Sequence, residues 1–510
     1  MTGGDGAEGA VSVVWFRDDL RTADHPALAA ALAAGPAVGL FVLDEASPGV
    51  RPLGGAARWW LHHALQELGE RLAGLGVPLI LRRGPAAREV ADVVRALAAG
   101  RRGAGPGRAV GLHFNERHGG PERAVDAEAT RELRTTGVAV HAHRALLLHD
   151  PATLLTSTGG HYRVFTPFSR AVVDRAGGGF RRPEGVPRPA AGTIPPAPSP
   201  VPAARDTVRA GASSDGPPSC SAAPAGEPAR LPRSDALADW GLDARGAAWT
   251  RGLDEAWRPG ESAALERLDQ VRAGGLAAYG AERDRPDLDG TSRLSPALRW
   301  GHVSPHQLWW AVEESRAAAD DAGSAAQLQR QLLWREFSWH QLHHEPRLPT
   351  ENLRPEFDAF DWARAGDGPG EAAAFSAWRR GETGFAMVDA GMRQLWRTGW
   401  MHNRARMVTA SFLVKNLGLH WRDGEAWFWD TLVDADAASN PVNWQWVAGC
   451  GNDAAPYFRV LNPERQRARF DPAGRYAARF APEVRDPVVD LAESRAATLE
   501  AHARMRAARG

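Results

Sequence analysis

Along the first 140 residues, short apolar runs alternate with longer segments in which apolar residues recur every three or four positions. The apolar runs cover residues 11–16, 37–43, 77–81 and 109–114, and the segments with helical spacing cover residues 26–34, 56–75, 86–98 and 121–136. Buried strands that alternate with amphipathic helices are typical of a parallel, doubly wound sheet. The pattern therefore predicts an α/β domain over residues 1–140.

The first predicted strand leads into RDDLRTADHP, which begins at Arg17, and not into a Gly-rich turn of the form G-x-G-x-x-G. That turn is the usual phosphate-binding signature of a dinucleotide fold. We therefore predict a Rossmann-like parallel sheet without the usual nucleotide signature.

Residues 181–239 have a different composition. They contain no Phe, Trp or Tyr, and thirteen prolines fall between Pro183 and Pro232. Such a segment buries too little apolar surface to offset the entropy lost on ordering. We predict a long, largely extended Pro/Ala/Gly-rich linker over 181–239, within an interdomain connection that spans 141–239.

From Trp240 onward the apolar spacing is helical, and we find no convincing strand. Four long segments with apolar residues three or four apart begin at Gly260, Ser304, Ala325 and Glu382. This spacing is that of helices with one buried face. The sequence therefore predicts an all-α domain over residues 240–510.

Composition narrows the class of protein. No apolar run reaches membrane-spanning length, and the first ten residues lack the basic and apolar regions of a secretory signal. The two cysteines, Cys220 and Cys450, are too few for a disulfide framework. These features predict a soluble, cytoplasmic protein with no membrane partner.

The formal net charge is zero, which argues against a generic nucleic-acid coat, but the charges are unevenly placed. Residues 379–422 contain eight Arg or Lys and two acids, and residues 423–454 contain six acids and no Arg or Lys. A basic stretch beside an acidic one fits a surface that meets phosphate next to a pocket with another role. A solvated helix face explains the same pattern.

Seven tryptophans lie in the same region: Trp396, Trp400, Trp421, Trp427, Trp429, Trp444 and Trp446. A core is filled more simply with Leu and Val, so indoles interleaved with charges indicate a place where rings stack or electrons move. Trp444 and Trp446 are two apart, so in extended backbone they would point to opposite sides.

Three short motifs carry candidate chemistry. GTSRLSP at 290–296 offers donors at the start of a helix, which suit a phosphate but equally make an ordinary helix cap. LLWREF at 332–337 places a Trp beside an Arg, and DADAASN at 434–440 combines two carboxylates with an amide. No His or Cys stands at ligand spacing beside these carboxylates, so no metal site is expected.

Taken in order along the chain, these motifs resemble the DNA photolyase and cryptochrome family, specifically the bacterial class I photolyases that act on cyclobutane pyrimidine dimers. The motifs that carry the resemblance are VVWFRDDLR (13–21), YRVFTPF (162–168), GTSRLSP, LLWREF, TGWMHNRARM (398–407), WFWDTLVDADAASN (427–440), WQW (444–446) and DAAPYFRVLNP (453–463). They cover nearly the whole chain in the expected order.

The resemblance implies an all-α domain that binds FAD. The residues implied for the phosphates and ribityl chain are Tyr279, Thr291, Ser292, Arg293, Leu294, Ser295 and Arg335. The residues implied beside the flavin ring and adenine are Asp434, Ala435 and Asp436, with Asn440 close to flavin N5. The implied activity is that of a carbon–carbon lyase: excited, fully reduced FAD donates an electron to the dimer in UV-damaged DNA, the ring opens, and the electron returns.

The same resemblance implies a lesion pocket formed by Trp334, Asn403, Met407 and Trp446. Arg283, Arg404 and Arg406 are the candidates for backbone phosphates. Trp444, Trp421 and Trp362 resemble the family's electron relay, in order from the flavin to solvent. The other tryptophans of the dense region, Trp396, Trp400, Trp427 and Trp429, are expected to pack the core.

Gln331 departs from the family pattern, in which a Glu at this position hydrogen-bonds a carbonyl of the dimer. An amide donates a hydrogen bond but does not titrate. Repair persists with lower efficiency, or it is lost and the chain is a cryptochrome-like blue-light photoreceptor. A photolyase for another lesion is a further alternative, although the pattern Asn403, Met407 and Trp446 disfavours the (6–4) lesion.

The resemblance also implies an antenna chromophore. Pro121–Glu122 stands where folate binders have Asn–Glu, and Arg299 stands where deazaflavin binders often have a cation. We expect 8-hydroxy-deazaflavin, with methenyltetrahydrofolate as the alternative, and a monomeric protein.

Overall fold

The computed structural model describes residues 11–99, 110–177, 179–189, 231–243, 249–319, 322–454, 458–483 and 485–508. Residues 190–230, which form most of the predicted linker and include Cys220, lie outside the described residues.

The N-terminal part contains a five-stranded sheet in the order β3-β2-β1-β4-β5, and every pair of neighbouring strands is parallel. The strands are β1 (Val11–Phe16), β2 (Ala37–Leu43), β3 (Leu79–Arg83), β4 (Val110–Asn115) and β5 (Ala139–His143). The first two have the predicted bounds, β3 begins two residues later than predicted, and β4 is shifted by one residue. The prediction missed β5 because its sequence, AVHAH, is not an apolar run.

Helices cover both faces of this sheet. They are α1 (Pro26–Ala34), α2 (Gly55–Gly74), α3 (Ala86–Ala99) and α4 (Gly120–Thr135), followed by α5 (Phe165–Arg175). One apolar core packs α1 and α2 on the sheet, and another packs α3 and α4 on the opposite face. The predicted α/β class is confirmed.

The C-terminal part is helical. Its helices are α6 (Thr250–Ala256), α7 (Glu261–Arg272), α8 (Tyr279–Glu282), α9 (Ser295–Arg299), α10 (Pro305–Ala319), α11 (Ala322–His344), α12 (Pro369–Arg380), α13 (Ala386–Thr398), α14 (Asn403–Ser411), α15 (Trp421–Thr431), α16 (Ser439–Ala448), α17 (Pro463–Phe470), α18 (Arg475–Phe480) and α19 (Leu491–Ala507). A π-helical turn, Phe412–Asn416, continues α14. The predicted helical class of this part is confirmed, and none of its described helices is long and apolar enough to cross a membrane.

The two parts share an apolar core. Trp60 and Leu65 of α2 lie in the same cluster as Leu253, Trp300 and Val433 of the helical part. A carboxylate reinforces this contact, because Glu261 accepts hydrogen bonds from the backbone N–H groups of residues 22 and 23 at 2.7 and 2.8 Å. The position of the helical part relative to the sheet is therefore set by packing and by buried polar contacts.

The end of the predicted linker is packed and not free. The backbone N–H of Asp235 donates to the Leu81 carbonyl at 2.8 Å, and the Leu81 N–H donates to Ser234 Oγ at 3.0 Å. Leu237 is buried in the shared core. Residues 231–239 of the predicted linker are thus packed against β3 and the shared core through two long-range hydrogen bonds and the burial of Leu237.

Candidate functional site

A cavity of about 240 Å³ lies among α11, α14, α15 and α16. It brings together ten of the predicted site residues: Gln331, Trp334, Asn403, Arg406, Met407, Asp434, Ala435, Asn440, Trp444 and Trp446. Predicted flavin-side and lesion-side residues therefore line one cavity, although up to 115 positions of sequence separate them.

The wall that carries Trp444 and Trp446 is helical. Because α16 spans Ser439–Ala448, the opposite directions that extended backbone would give these two side chains do not apply directly. Two positions on a helix differ by about 200° in direction. Trp444 is 2% exposed, whereas Trp446 is half-buried and its Nε1 donates to the Asp453 carbonyl at 3.0 Å. The two rings thus still leave the chain in different directions while both line the cavity.

Trp334 is held flat against a second ring. Its ring stacks on Phe165 with 3.7 Å between centroids and 5° between planes. Phe165 is buried at the start of α5, and sequence reasoning did not name it, although it lies within the YRVFTPF motif. The stack fixes the orientation of the Trp334 face in the cavity.

Asp434 has one paired and one unpaired oxygen. Its Oδ2 accepts from Arg406 at 2.8 Å, and Arg406 Nε also donates to the Met401 carbonyl at 2.8 Å. Asp434 Oδ1 is buried without a hydrogen-bond partner among the described residues. A buried carboxylate oxygen without a donor is costly, so this oxygen is suited to an N–H or O–H donor of a bound group.

Asn440 is oriented by a carboxylate that sequence reasoning missed. Its Nδ2 donates to Glu425 Oε1 at 2.7 Å and to the Glu425 carbonyl at 3.1 Å. Glu425 in turn accepts two hydrogen bonds from Arg51 of the N-terminal part, at 2.7 and 3.1 Å. Because both Nδ2 hydrogens are used, the Asn440 side-chain oxygen is left to serve as an acceptor in the cavity.

The remaining lesion-side residues are less constrained. Gln331 lines the cavity and its side chain has no hydrogen-bond partner in the described part of the chain. Asn403 is exposed and lies 4.0 Å from the Met407 sulfur through its Nδ2. These side chains are free to adapt to a bound molecule.

A cationic groove of about 930 Å³ adjoins the cavity and shares Met407, Trp446 and Val447 with it. Five arginines line this groove: Arg354, Arg404, Arg459, Arg469 and Arg506. Arg404 forms an ion pair with Asp284 at 2.8 Å. Arg283 lies outside the groove lining, beside the Tyr279 ring at 5.6 Å. Of the three arginines predicted to bind DNA phosphates, Arg404 lines the groove, Arg406 lines the cavity, and Arg283 lines neither.

The GTSRLSP turn at 290–296, which is predicted to hold the FAD phosphates, is stabilised by hydrogen bonds from Arg267. Arg267 donates to the Thr291 and Ser292 carbonyls at 2.8 and 2.9 Å, and Arg293 has a left-handed φ of 49°. Ser295 begins α9 and its Oγ accepts from Trp400 Nε1 at 3.3 Å. The whole turn, the buried Leu294 and the buried Tyr279 lie outside the lining of the 240 Å³ cavity.

Arg335 and Asp436 line a separate interdomain cavity of about 140 Å³. Arg335 donates to the Leu146 carbonyl at 3.1 Å, and Asp436 Oδ1 accepts from the Ala438 N–H at 2.8 Å. The two antenna candidates, Glu122 and Arg299, line this same cavity. Burial raises the pKa of the Glu122 carboxyl.

The three predicted relay tryptophans differ in exposure. Trp444 and Trp421 are buried and Trp362 is half-buried. The His420 ring lies 5.2 Å from the Trp362 ring and 5.8 Å from the Trp421 ring, and burial lowers the His420 pKa to about 4. A neutral imidazole therefore contacts both indoles at pH 7. The Trp444 ring centroid lies 4.9 Å from that of Phe428 and 6.2 Å from that of Trp378. The sequence did not assign either of these rings to the site.

The remaining tryptophans of the dense region are not all core residues. Trp400 and Trp429 are buried and Trp427 is half-buried, but Trp396 is 47% exposed. Trp396 stacks on Trp427 at the surface, with 5.7 Å between ring centroids. The prediction of a core position was wrong for Trp396, because its helix turns this ring outward.

In the described part of the chain, no three or more His, Cys, Asp or Glu side chains are placed to hold a metal ion.

Comparisons with known proteins agree with this architecture. Residues 328–508 match the family model for the FAD binding domain of DNA photolyase, and residues 12–190 match the DNA photolyase model. A deoxyribodipyrimidine photo-lyase of Agrobacterium fabrum is 40% identical over 474 residues, which cover 92% of this chain and 87% of that protein. One from Thermus thermophilus is 36% identical and covers 95% of this chain and 96% of that protein. A crystal structure of a bacterial class III photolyase from Agrobacterium tumefaciens matches with a TM-score of 0.82 and 35% identity, covering 99% of this chain and 100% of that one.

The chain therefore belongs to the DNA photolyase family, and its helical part contains the FAD-binding domain of that family. Its enzyme class is that of the photolyase lyases. The class I subgroup is not confirmed, since a similar solved structure is that of a class III photolyase. The predicted domain boundaries at 140 and 239 stay predictions.

Gly424 of α15 lets the Trp444 ring approach that helix. A Cβ at this position would overlap the Trp444 ring and lie 2.5 Å from Leu413 Cδ2. We predict that Gly424→Ala lowers the free energy of unfolding by about 1–3 kcal/mol, as overpacked cores do, and lowers the FAD content of the purified protein. Denaturant unfolding and flavin absorbance measure the two effects. Gly370 of α12 has no atom within 4 Å of an added Cβ, so Gly370→Ala is the control that should keep both values. Equal values for the two variants would contradict the packing argument.

Proposed function

We propose that this protein repairs cyclobutane pyrimidine dimers in UV-damaged DNA, using light absorbed by reduced FAD. One observation carries the proposal: residues suited to a flavin and residues suited to an extruded pyrimidine dimer line the same cavity. Electron transfer requires the donor, reduced FAD, and the acceptor, the pyrimidine dimer, to lie close together. A shared cavity would provide that proximity, and the reaction needs no catalytic nucleophile.

The residues of the cavity fit a bound flavin. Asp434 Oδ1 is a buried acceptor without a donor, and the Asn440 side-chain oxygen is an acceptor held by Glu425. Both match the N–H groups that a reduced isoalloxazine ring presents. When bound and reduced, FAD supplies the photoexcited electron. Asp434 and Asn440 would orient the ring, and Tyr279, Arg335, Asp436 and the turn at 291–295, all outside the cavity lining, would hold the rest of the cofactor.

The lesion side of the cavity is apolar on its faces and polar at its edges. A dimer must leave the duplex stack to reach this cavity, as in base flipping, and a damaged base costs less to extrude. Trp334, fixed by Phe165, and the half-buried Trp446 offer flat faces to the extruded bases. Stacking of this kind contributes about 1–3 kcal/mol per base.

The cationic groove suits the phosphates that flank the lesion. Its arginines adjoin the cavity at Met407 and Trp446, so a strand that follows the groove would carry its extruded bases into the cavity. Arg404 is the predicted phosphate ligand that faces this groove. Contacts of this kind give affinity on all sequences and make it salt-dependent.

Gln331 bears on the alternative of a cryptochrome-like photoreceptor. A neutral amide supplies a hydrogen-bond donor to a dimer carbonyl at any pH, although it does not transfer a proton. Because its amide lacks another partner in the described residues, it is available to the lesion. We therefore place repair ahead of a purely light-sensing role and of repair of another lesion.

We expect reduced, purified protein to open a cyclobutane thymine dimer in an oligonucleotide under blue or near-UV light, and to leave the (6–4) lesion intact. Chromatography of the oligonucleotide before and after illumination measures both. A dark incubation is the control. Intact cyclobutane dimer after illumination of verified reduced flavin would favour the photoreceptor function instead.

We expect Trp444→Phe to slow photoreduction of oxidised flavin and to spare repair by flavin that is already reduced. Phenylalanine keeps the ring packing but is far harder to oxidise than indole. Flavin absorbance during illumination with an external reductant measures the rate. Trp396→Phe, at the exposed stack, is the matched control. Unchanged photoreduction in Trp444→Phe would remove this residue from the relay.

We propose that the 140 Å³ interdomain cavity holds the antenna chromophore, with 8-hydroxy-deazaflavin favoured by Arg299 and methenyltetrahydrofolate as the alternative. Arg299 lies in this cavity and is paired with Asp18 at 2.5 Å, and Glu122 lines the same cavity.

We expect Arg299→Ala to reduce the amount of antenna chromophore carried by the protein while FAD stays bound. Absorption spectra and mass spectrometry of the released chromophores measure this. An unchanged antenna content would place the chromophore elsewhere.

A further inference from the structure

Asn452 lines the same cavity as Gln331, Trp334 and Trp446, yet neither the motifs nor the family resemblance draw attention to it. It follows α16 in a loop whose next residue, Asp453, accepts the hydrogen bond from Trp446 Nε1 at 3.0 Å. Asn452 is therefore attached to the same structural element that holds one lesion-facing ring.

Two other groups, the Tyr162 carbonyl and the Gln341 side chain, set the orientation of the Asn452 amide through hydrogen bonds. The Tyr162 carbonyl accepts from Gln341 Nε2 at 2.6 Å, and a carbonyl can only accept. The Gln341 oxygen must then serve as the acceptor, and it takes its hydrogen bond from Asn452 Nδ2. Gln341 is completely buried, so this orientation has no water-exposed alternative.

These hydrogen bonds use the Asn452 side-chain nitrogen and do not involve its side-chain oxygen. It has no hydrogen-bond partner among the described residues, and an amide oxygen can only accept. The lesion side of the cavity therefore has, beside Gln331, an acceptor whose direction is fixed by hydrogen bonds from the protein interior. A fixed acceptor selects ligands that present an N–H or O–H group.

We propose that Asn452 is a specificity-determining residue, whose side-chain oxygen accepts a hydrogen bond from the N3–H of a thymine in the extruded dimer. The inference rests on the proposed function and deepens it. Thymine presents N3–H between two carbonyl groups, so Asn452 takes the N–H while Gln331 donates to a neighbouring carbonyl. Flipped bases are commonly read through this edge.

The test measures dark binding, which does not depend on repair. The probes are an oligonucleotide with one thymine dimer and the same oligonucleotide with the dimer methylated at N3 of both bases. Removal of one neutral hydrogen bond typically weakens an interaction by about 3- to 10-fold. We expect Asn452→Ala and Asn452→Leu to weaken binding of the unmethylated dimer by that factor, and to leave binding of the methylated dimer unchanged.

The two variants differ in side-chain volume, so a common effect reports the lost oxygen and not a cavity. Flavin absorbance and thermal unfolding check that each variant is folded. Gln66→Ala, which removes a half-buried amide on α2, is the control and should bind both probes as the unaltered protein does. Equal weakening on both probes, or none on either, would overturn the role of Asn452. If the unaltered protein does not distinguish dimer from undamaged DNA, the proposed function fails as well, and that result is separate from any effect of Asn452.

Discussion

The Glu425 carboxylate is the constraint on which the cavity depends. It is nearly buried and accepts hydrogen bonds from Arg51 of the N-terminal part and from Asn440 of α16. A buried carboxylate without partners would be costly, so the contact between the two parts of the chain and the orientation of the cavity amide stabilise each other. The ion pair with Arg51 also neutralises a charge that would otherwise lie next to the cavity.

A similar logic operates on the other side of the cavity. There the Tyr162 carbonyl orients Gln341, and Gln341 orients Asn452. In both places a group that can only accept fixes which end of an amide points inward. The cavity is thus polarised by hydrogen-bond pairing from outside and not by charged side chains of its own, apart from the pair formed by Asp434 and Arg406.

Much of this arrangement could be predicted from the sequence. Continuous apolar runs predicted the strands β1 and β2, because buried parallel strands are apolar on both faces. The spacing of apolar residues every three or four positions predicted the helices that follow them. The motifs also identified residues from three separate helices, α11, α14 and α16, and from the segment before α16 that share one cavity. Edge strand β5, with two histidines, and the outward direction of Trp396 could not be predicted, since exposure at the margin of a fold depends on tertiary neighbours.

The orienting groups were equally hidden from the sequence. Arg51 and Glu425 are separated by 374 positions, and Tyr162 and Gln341 by 179. The Tyr162 contact uses a backbone carbonyl, which every residue type supplies, so no residue pattern marks it. Asn452 likewise resembles any polar loop residue until its partner is known. Chemistry carried by side-chain identity was predictable, and orientation carried by long-range pairing was not.

The short packed segment at 231–239 has a consequence for the protein outside its site. Strand β3 is at one edge of the sheet, where unpaired backbone groups would offer a template to another chain. Ser234 and Asp235 bind the Leu81 N–H and carbonyl of that strand, and Leu237 covers the apolar surface beside it. The chain thereby occupies one open edge of its own sheet, which protects that edge from strand addition and aggregation.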